Sequence, residues 1–316
     1  MSIIEGGTVI EGARERMFVN AGAPLSGSTN GTKRGAAPPS ALLRDTTNDV
    51  LYVNEGSLAS PYWTPISFDQ NSLIAYHSDF RDEVGKAIAD TAATVVLAGS
   101  GLRVFGLGIT ETDSGLTVAQ EAEIGPIASL IATNEAGKLA AIGVGTTVLP
   151  WQPDTHNVLT VEAIVTMLTA LTVRSMFLGF AGTVADAMAP RVTGDTVTIT
   201  LVDDDVAGLL MDQSLTDSDG LFAVHNKGNE AATLATTATG VDTGTDIAAV
   251  ATYQRLRVEI SAAGLMVCFA DKVEIASISA SLDADEEVSP ILYIESTDAN
   301  TKTMKVKRFA TWATRG

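Results

Sequence analysis

The chain has 316 residues, 46% of them hydrophobic and only 18% charged, a mean hydropathy of +0.22 and a formal net charge of −18. That length accommodates two domains or one large β-domain with an extension, and that hydrophobicity excludes a chain disordered throughout. A surface this acidic repels nucleic acid and anionic lipid, so neither is an expected partner.

The one cysteine, Cys268, lies between Val267 and Phe269 and reads as a small buried hydrophobe; an intrachain disulfide is excluded. Met1–Gly12 carries Glu5 and Glu11 and lacks an apolar centre, so it does not read as a secretory leader. The most apolar run, Val158–Gly182, is interrupted by Glu162 and Arg174. Eleven uncharged residues separate those two, against the roughly twenty that a spanning helix needs.

Residues 1–67 stand apart from the rest. They are rich in Gly, Ser, Thr, Asn and Pro, as in Asn20–Gly31 and Gly35–Ser40. Such runs bury too little apolar surface to fold alone, which predicts an extended arm ordered by contact with another surface. Within it, Ala41–Asp45 and Val50–Asn54 flank the turn Thr46-Thr-Asn-Asp49, a hairpin signal. Ser60–Ile66 follows, with Pro61 and Pro65 suited to an edge strand. This arm carries five basic and six acidic residues, net −1, which leaves −17 to the remainder.

Residues 68–93 hold the only helical signal: Phe80, Val84, Ala87 and Ile88 recur at helical spacing after a capping Ser78 or Asp79. From Thr94 onward short strands follow one another, separated by Gly, Asp and Asn turns. Their centre is a meander over Tyr253–Ile278. Leu256, Val258 and Ile260 alternate with Arg255, Arg257 and Glu259, so period two assigns the apolar set to a core and the charged set to water. Ala263-Gly264 and Asp271-Lys272 supply the two turns. Val202–Gly220 and Gly228–Val250 read as long connections. About a dozen short strands with regular turns predict an all-β chain: an N-terminal arm with a hairpin (1–67), a linker with one short helix at most (68–93), and a jelly-roll β-sandwich (94–316).

No reaction chemistry emerges from the motifs. Asp203-Asp204-Asp205, with Asp212, Asp217 and Asp219, is the densest acidic patch, but its spacing matches no EF-hand loop. His77, His156 and His225 lie far apart in unrelated contexts, without metal-ligand spacing; His156 reads as a turn residue. Gly106-Leu-Gly108 and Gly143-Val-Gly145 lack the third glycine of a phosphate loop, and there is no Gly-x-Ser-x-Gly elbow. Carboxylate pairs for sugar hydrolysis depend on spatial separation and stay open at this level. No catalytic, cofactor or metal-binding residue is assigned, and the chain is expected not to be an enzyme.

As an ordered set, Ala21–Gly27, Leu42–Asn48, Leu51–Gly56 and Ala59–Ile66 resemble the amino-terminal module of tailed-phage capsid decoration (cement) proteins and head fibres. The carboxy-terminal half is similar to a concanavalin-type (laminin-G-like) sandwich, through Tyr253–Ile260, Pro290–Ser296 and Lys305–Phe309. In that family the hairpin turn usually carries glycine, where this chain has Asp271-Lys272. The resemblance implies a structural virion protein, made in the host cytoplasm and carried as a homotrimer on the capsid exterior, docked on the major capsid protein through its arm. It implies interface residues among Pro24, Leu42, Leu43, Leu51, Tyr52, Tyr62, Trp63 and Ile66. For Trp63, packing under its own hairpin is the competing expectation. The alternative function is a tail-fibre or receptor-binding protein whose sandwich holds a host surface glycan.

Overall fold

The computed structural model describes residues 17–67, 73–80, 100–106, 115–121, 125–132, 138–145, 151–167, 174–185, 188–228, 233–248, 252–296 and 302–314, together with the short strands Ile4–Glu5, Thr8–Val9, Lys86–Ala87 and Val95–Val96. Two large sheets stack face to face. The first runs, in spatial order, through Asp242–Asp246, Gly220–Asn226, Val206–Asp212, Arg174–Ala181, Ser289–Ser296, Lys138–Gly143, Arg103–Phe105 and Val95–Val96. The second runs through Val273–Ile278, Met266–Ala270, Gln254–Ser261, Val158–Met167, Lys302–Thr314, Gly125–Ala132, Gly115–Glu121 and Lys86–Ala87, with Leu73–Ser78 also paired to Lys302–Thr314. Every pairing in both sheets is antiparallel.

The apolar face of each sheet is buried against the other. Leu178, Leu209, Ile142 and Leu292 of the first meet Leu159, Val161, Val258 and Phe309 of the second in one continuous core. Outside the first sheet, Phe177, Leu210 and Tyr293 are covered by Val192, Ile199 and Leu201 of a small sheet made of Val192–Asp195, Thr198–Leu201 and Thr233–Ala235. Outside the second sheet lies the leader. Met17–Asn20, Leu42–Asp45, Val50–Asn54 and Trp63–Ser67 form a four-stranded sheet, and its inner face (Leu43, Val50, Tyr52, Trp63) packs on Leu73, Ala310 and Trp312.

The fold class is as the sequence predicts: all-β, with a two-sheet sandwich. The three-stranded meander also forms, with Leu256 opposite Ala270 and Cys268 opposite Ala276. Gly264 turns at φ +74, where an added Cβ would meet the Leu282 carbonyl oxygen at 2.2 Å.

Four expectations are corrected. Among the described residues of 68–93 the helical spacing is not realised: Leu73–Ser78 and Lys86–Ala87 are strands, and Phe80 sits at φ +60. Val84 and Ile88 lie outside the described residues. The reason is a free edge: residues 302–306 of the long strand pair with Gly125–Ala132, and residues 309–314 need another partner, which Leu73–Ser78 supplies. Among the described residues the only helix is Pro153–His156, ended by Asn157 at φ +54. Val202–Gly220 is not merely a connection, because Val206–Asp212 is a strand buried along its whole length; buried on both faces, it shows no alternation. The leader is not an extended arm: residues 17–67 are folded onto the chain's own sandwich. Finally, Arg257 and Glu259 do not face water. The leader covers that face, leaving them 0% and 2% exposed.

Candidate functional site

Because the leader lies across the second sheet, charges on that face must be satisfied inside the seam. Arg257 is the hub. Its Nε and Nη2 donate to Glu162 Oε2 at 3.0 and 2.8 Å, and its Nη1 donates to Glu259 Oε1 at 3.1 Å and to the Trp63 carbonyl at 2.9 Å. Nη2 also reaches Thr64 Oγ1 at 3.2 Å. The guanidinium carbon lies 3.7 Å from the Tyr62 ring centroid and 4.8 Å from that of Trp312, so the cation is held between two aromatic groups. The Tyr62 hydroxyl donates to Glu162 Oε2 at 2.7 Å, and its ring meets Phe269 edge-on.

Burial favours neutral carboxyls, and the two glutamates respond differently. Burial would raise Glu162, but Arg257, Arg255 and Arg308 together hold it below its ordinary range. Glu259 is pushed up by burial, against the pull of Arg257 and of the Ser26 N–H that donates to it at 3.0 Å. More contacts seal the seam: Ser28 N–H and the Thr29 hydroxyl donate to Glu274, and Arg255 pairs with Glu55 at 3.1 Å.

The expected interface residues fall into two groups. Pro24, Leu43, Tyr52, Tyr62 and Trp63 are buried inside the leader or against the sandwich. Trp63 follows its competing expectation, packing under its own hairpin with its indole N–H on the Thr32 carbonyl at 3.0 Å. Leu42 and Leu51 are half-buried on the outward face, and Ile66 is 50% exposed beside a bulge in the last leader strand. By cross-strand register, Met17 and Val19 share the face of Leu42 and Leu51; they are 58% and 59% exposed.

A cavity of about 220 Å³ opens beside the buried cluster, lined by Thr64, Pro65, Ala75, Tyr76, His77, Arg308, Ala310, Thr311 and Trp312. Sequence reasoning missed it. Its key side chain is turned out by a β-bulge: Ile164 pairs Arg308 but Val165 pairs Val306, so Lys307 is the extra residue. Met304 and Val306 point into the core, and unbroken alternation would send Arg308 after them. The bulge shifts the parity, so Phe309 and Ala313 point inward while Arg308, Ala310 and Trp312 point outward. The visible signal was Lys307-Arg308, two adjacent charges that break the period.

The acidic patch is split by the fold. Asp203 pairs with Arg191 at 3.1 Å, and Asp212 accepts from Gly194 and Ser214 N–H groups. Asp217, Asp219 and Asp246 bring carboxylate oxygens within 4.8 Å of one another at the surface. His156 is a turn residue, its Nδ1 accepting from the Gln152 N–H at 3.1 Å. Burial raises the Cys268 thiol well above its usual range, which disfavours the thiolate form.

No protein family and no curated protein sequence matches the chain. Solved structures are similar only distantly. A Shewanella oneidensis MR-1 protein of unknown function aligns with a TM-score of 0.44 at 11% identity, over 79% of this chain and 90% of that one. Peanut lectin gives 0.43 at 8%, over 76% and 97%. A family 16 endo-glucanase from Bacteroides ovatus gives 0.40 at 10%, over 78% and 96%. Two of these three are a lectin and a glycoside hydrolase by name, and at such scores none of them lends a residue role or an activity to this chain.

Proposed function

We propose that the protein is a non-catalytic structural component of a tailed-phage particle, carried as a homotrimer on the capsid exterior with the leader sheet toward the major capsid protein. One observation carries this reading. Met17, Val19, Leu58 and Ile66, four of the seven exposed large hydrophobics among the described residues, cluster in the near-neutral leader. Apolar side chains concentrated on one module mark a contact surface. An acidic body that repels its neighbours then projects into solvent. The leader's resemblance to phage decoration modules supports the same placement. The residues expected to touch the capsid are accordingly Met17, Val19, Leu42, Leu51 and Ile66 rather than Tyr62 and Trp63.

The test is reconstitution on particles that lack the protein, followed by sedimentation and electron microscopy. The wild-type chain should co-sediment and add density over the capsid shell; a variant with Met17→Asp and Val19→Asp should stay folded and remain in the supernatant. Density confined to the tail would replace decoration with the receptor-binding role. Unchanged attachment of the variant would remove the leader face from the interface.

A further inference from the structure

We infer that the cavity between the leader strand Trp63–Ser67, the strand Leu73–Ser78 and the outer face of Lys302–Thr314 is a binding site for one acidic pyranose unit of a polysaccharide. The inference concerns a different surface from the proposed capsid contact and does not rest on it.

Size comes first. At about 220 Å³ the cavity is smaller than the roughly 300–1,000 Å³ of sites for drug-sized molecules, so it takes a single ring. Its apolar lining comes from Pro65, Ala75, Ala310 and Trp312. Trp312 is only 7% exposed and has Arg257 stacked over it, which fixes the ring in place. The polar lining stands on three different strands: His77 and Arg308, with Thr64, whose hydroxyl already bonds Glu55 and Arg257. An apolar lining with polar groups on several strands suits a saccharide ring, with its carbon–hydrogen faces and the hydroxyls around its edge.

Arg308 makes the site selective for an acid. It is brought outward by the bulge at Lys307 and is 38% exposed. Glu162 Oε1 lies 3.9 Å from its Nη1, outside hydrogen-bonding range, so Glu162 orients the guanidinium from behind without engaging its donors. The hydrogen bonds from Tyr62 and Arg257 converge on the other oxygen, Oε2. A planar guanidinium at the lip of an apolar pocket matches a carboxylate in two parallel bonds. The chain's net negative charge does not decide the matter locally, because exposed charges are screened beyond about 8 Å at physiological ionic strength.

The experiment is calorimetric titration of the full chain with methyl β-glucuronide, methyl β-glucoside and inorganic phosphate. The glucuronide should bind about 10-fold more tightly than the glucoside, the discrimination expected of one charge-assisted contact. Arg308→Gln should erase that preference, and Arg308→Lys should retain part of it. Ala75→Trp fills the cavity from an exposed position and should abolish both sugars at unchanged melting temperature; His77→Trp serves the same purpose should the first variant misfold. Equal affinity for both sugars, phosphate binding as tight as the glucuronide, sugar binding that survives Ala75→Trp, or no saturable glucuronide binding at millimolar concentration would each overturn the assignment.

Discussion

Replacing Arg257 by methionine tests whether the buried cluster locks the leader to the sandwich. The substitution removes five hydrogen bonds and two ring contacts from a side chain with no solvent exposure. Five such bonds at about 1–2 kcal/mol each would suggest ~5–10 kcal/mol, but they share one cation and do not add. Two relaxations reduce the cost: water enters the seam, and Glu259, already pushed up by burial, takes a proton. What remains is the penalty of stranding Glu162, which places the loss at about 3–5 kcal/mol. The pH dependence carries a sign. In the wild type Glu162 is held below its ordinary range, so its contribution is present above the unfolded value and lost as the pH falls. In Arg257→Met the same carboxyl is buried without its cation and its pKa rises, so its contribution is lost as the pH rises. The stability gap should therefore widen from pH 4 to pH 8. Urea unfolding followed by tryptophan fluorescence, with limited proteolysis of residues 17–67, measures both effects. A loss under about 1 kcal/mol, or a gap independent of pH, would refute the lock.

Other expectations follow from the same geometry. Burial, then the neighbouring Asp212, pushes Glu295 up to about 7 from its usual 4.5. Its folded-state pKa is raised, so the protonated form stabilises below the unfolded value and that stability is lost as pH rises toward 7. Glu295→Gln should stabilise the chain by up to about 3 kcal/mol at pH 8 and change little at pH 4, read from thermal melts at the two pH values. Lys272 turns at φ +71 in a two-residue hairpin where glycine carries no strain. Lys272→Gly should gain about 0.5 kcal/mol after losing its surface pair with Glu55, as a rise in melting temperature.

How far the sequence discloses this molecule depends on what covers each strand. Gln254–Ser261, Met266–Ala270 and Val273–Ile278 are legible because tight turns and period-two patterning agree. Val206–Asp212 is not: with a sheet core on one side and the small sheet's cluster on the other, its apolar run resembles a linker between acidic stretches. Leu73–Ser78 exposes Ala75 and His77 and buries Leu73 and Ser78, a weak alternation beside the helical spacing of Phe80, Val84 and Ile88. There the long partner strand decided the outcome, a non-local pairing that propensity cannot register. The pocket depended on a single inserted residue, Lys307, that reverses which side chains face out.

The charges on Gln254–Ser261 show why patterning misjudged the leader. Period two assigns alternate residues to opposite faces, and it did so correctly; it does not say what lies beyond the second face. Glu162, embedded among Val161, Ala163 and Ile164, was the sign that something did. A glutamate in an otherwise apolar central strand needs a cation, and Arg257 stands directly opposite it in register. Such a pair must be roofed or wet. Here the leader roofs it with Thr64 and with Tyr62 and Trp63, the two aromatic residues that resemblance alone would send to a capsid. Those side chains cannot do both. A partner that docks without unfolding the leader is therefore confined to its outer face, and the aromatic residues tune attachment only through the stability of the sheet that carries Met17, Val19 and Leu42.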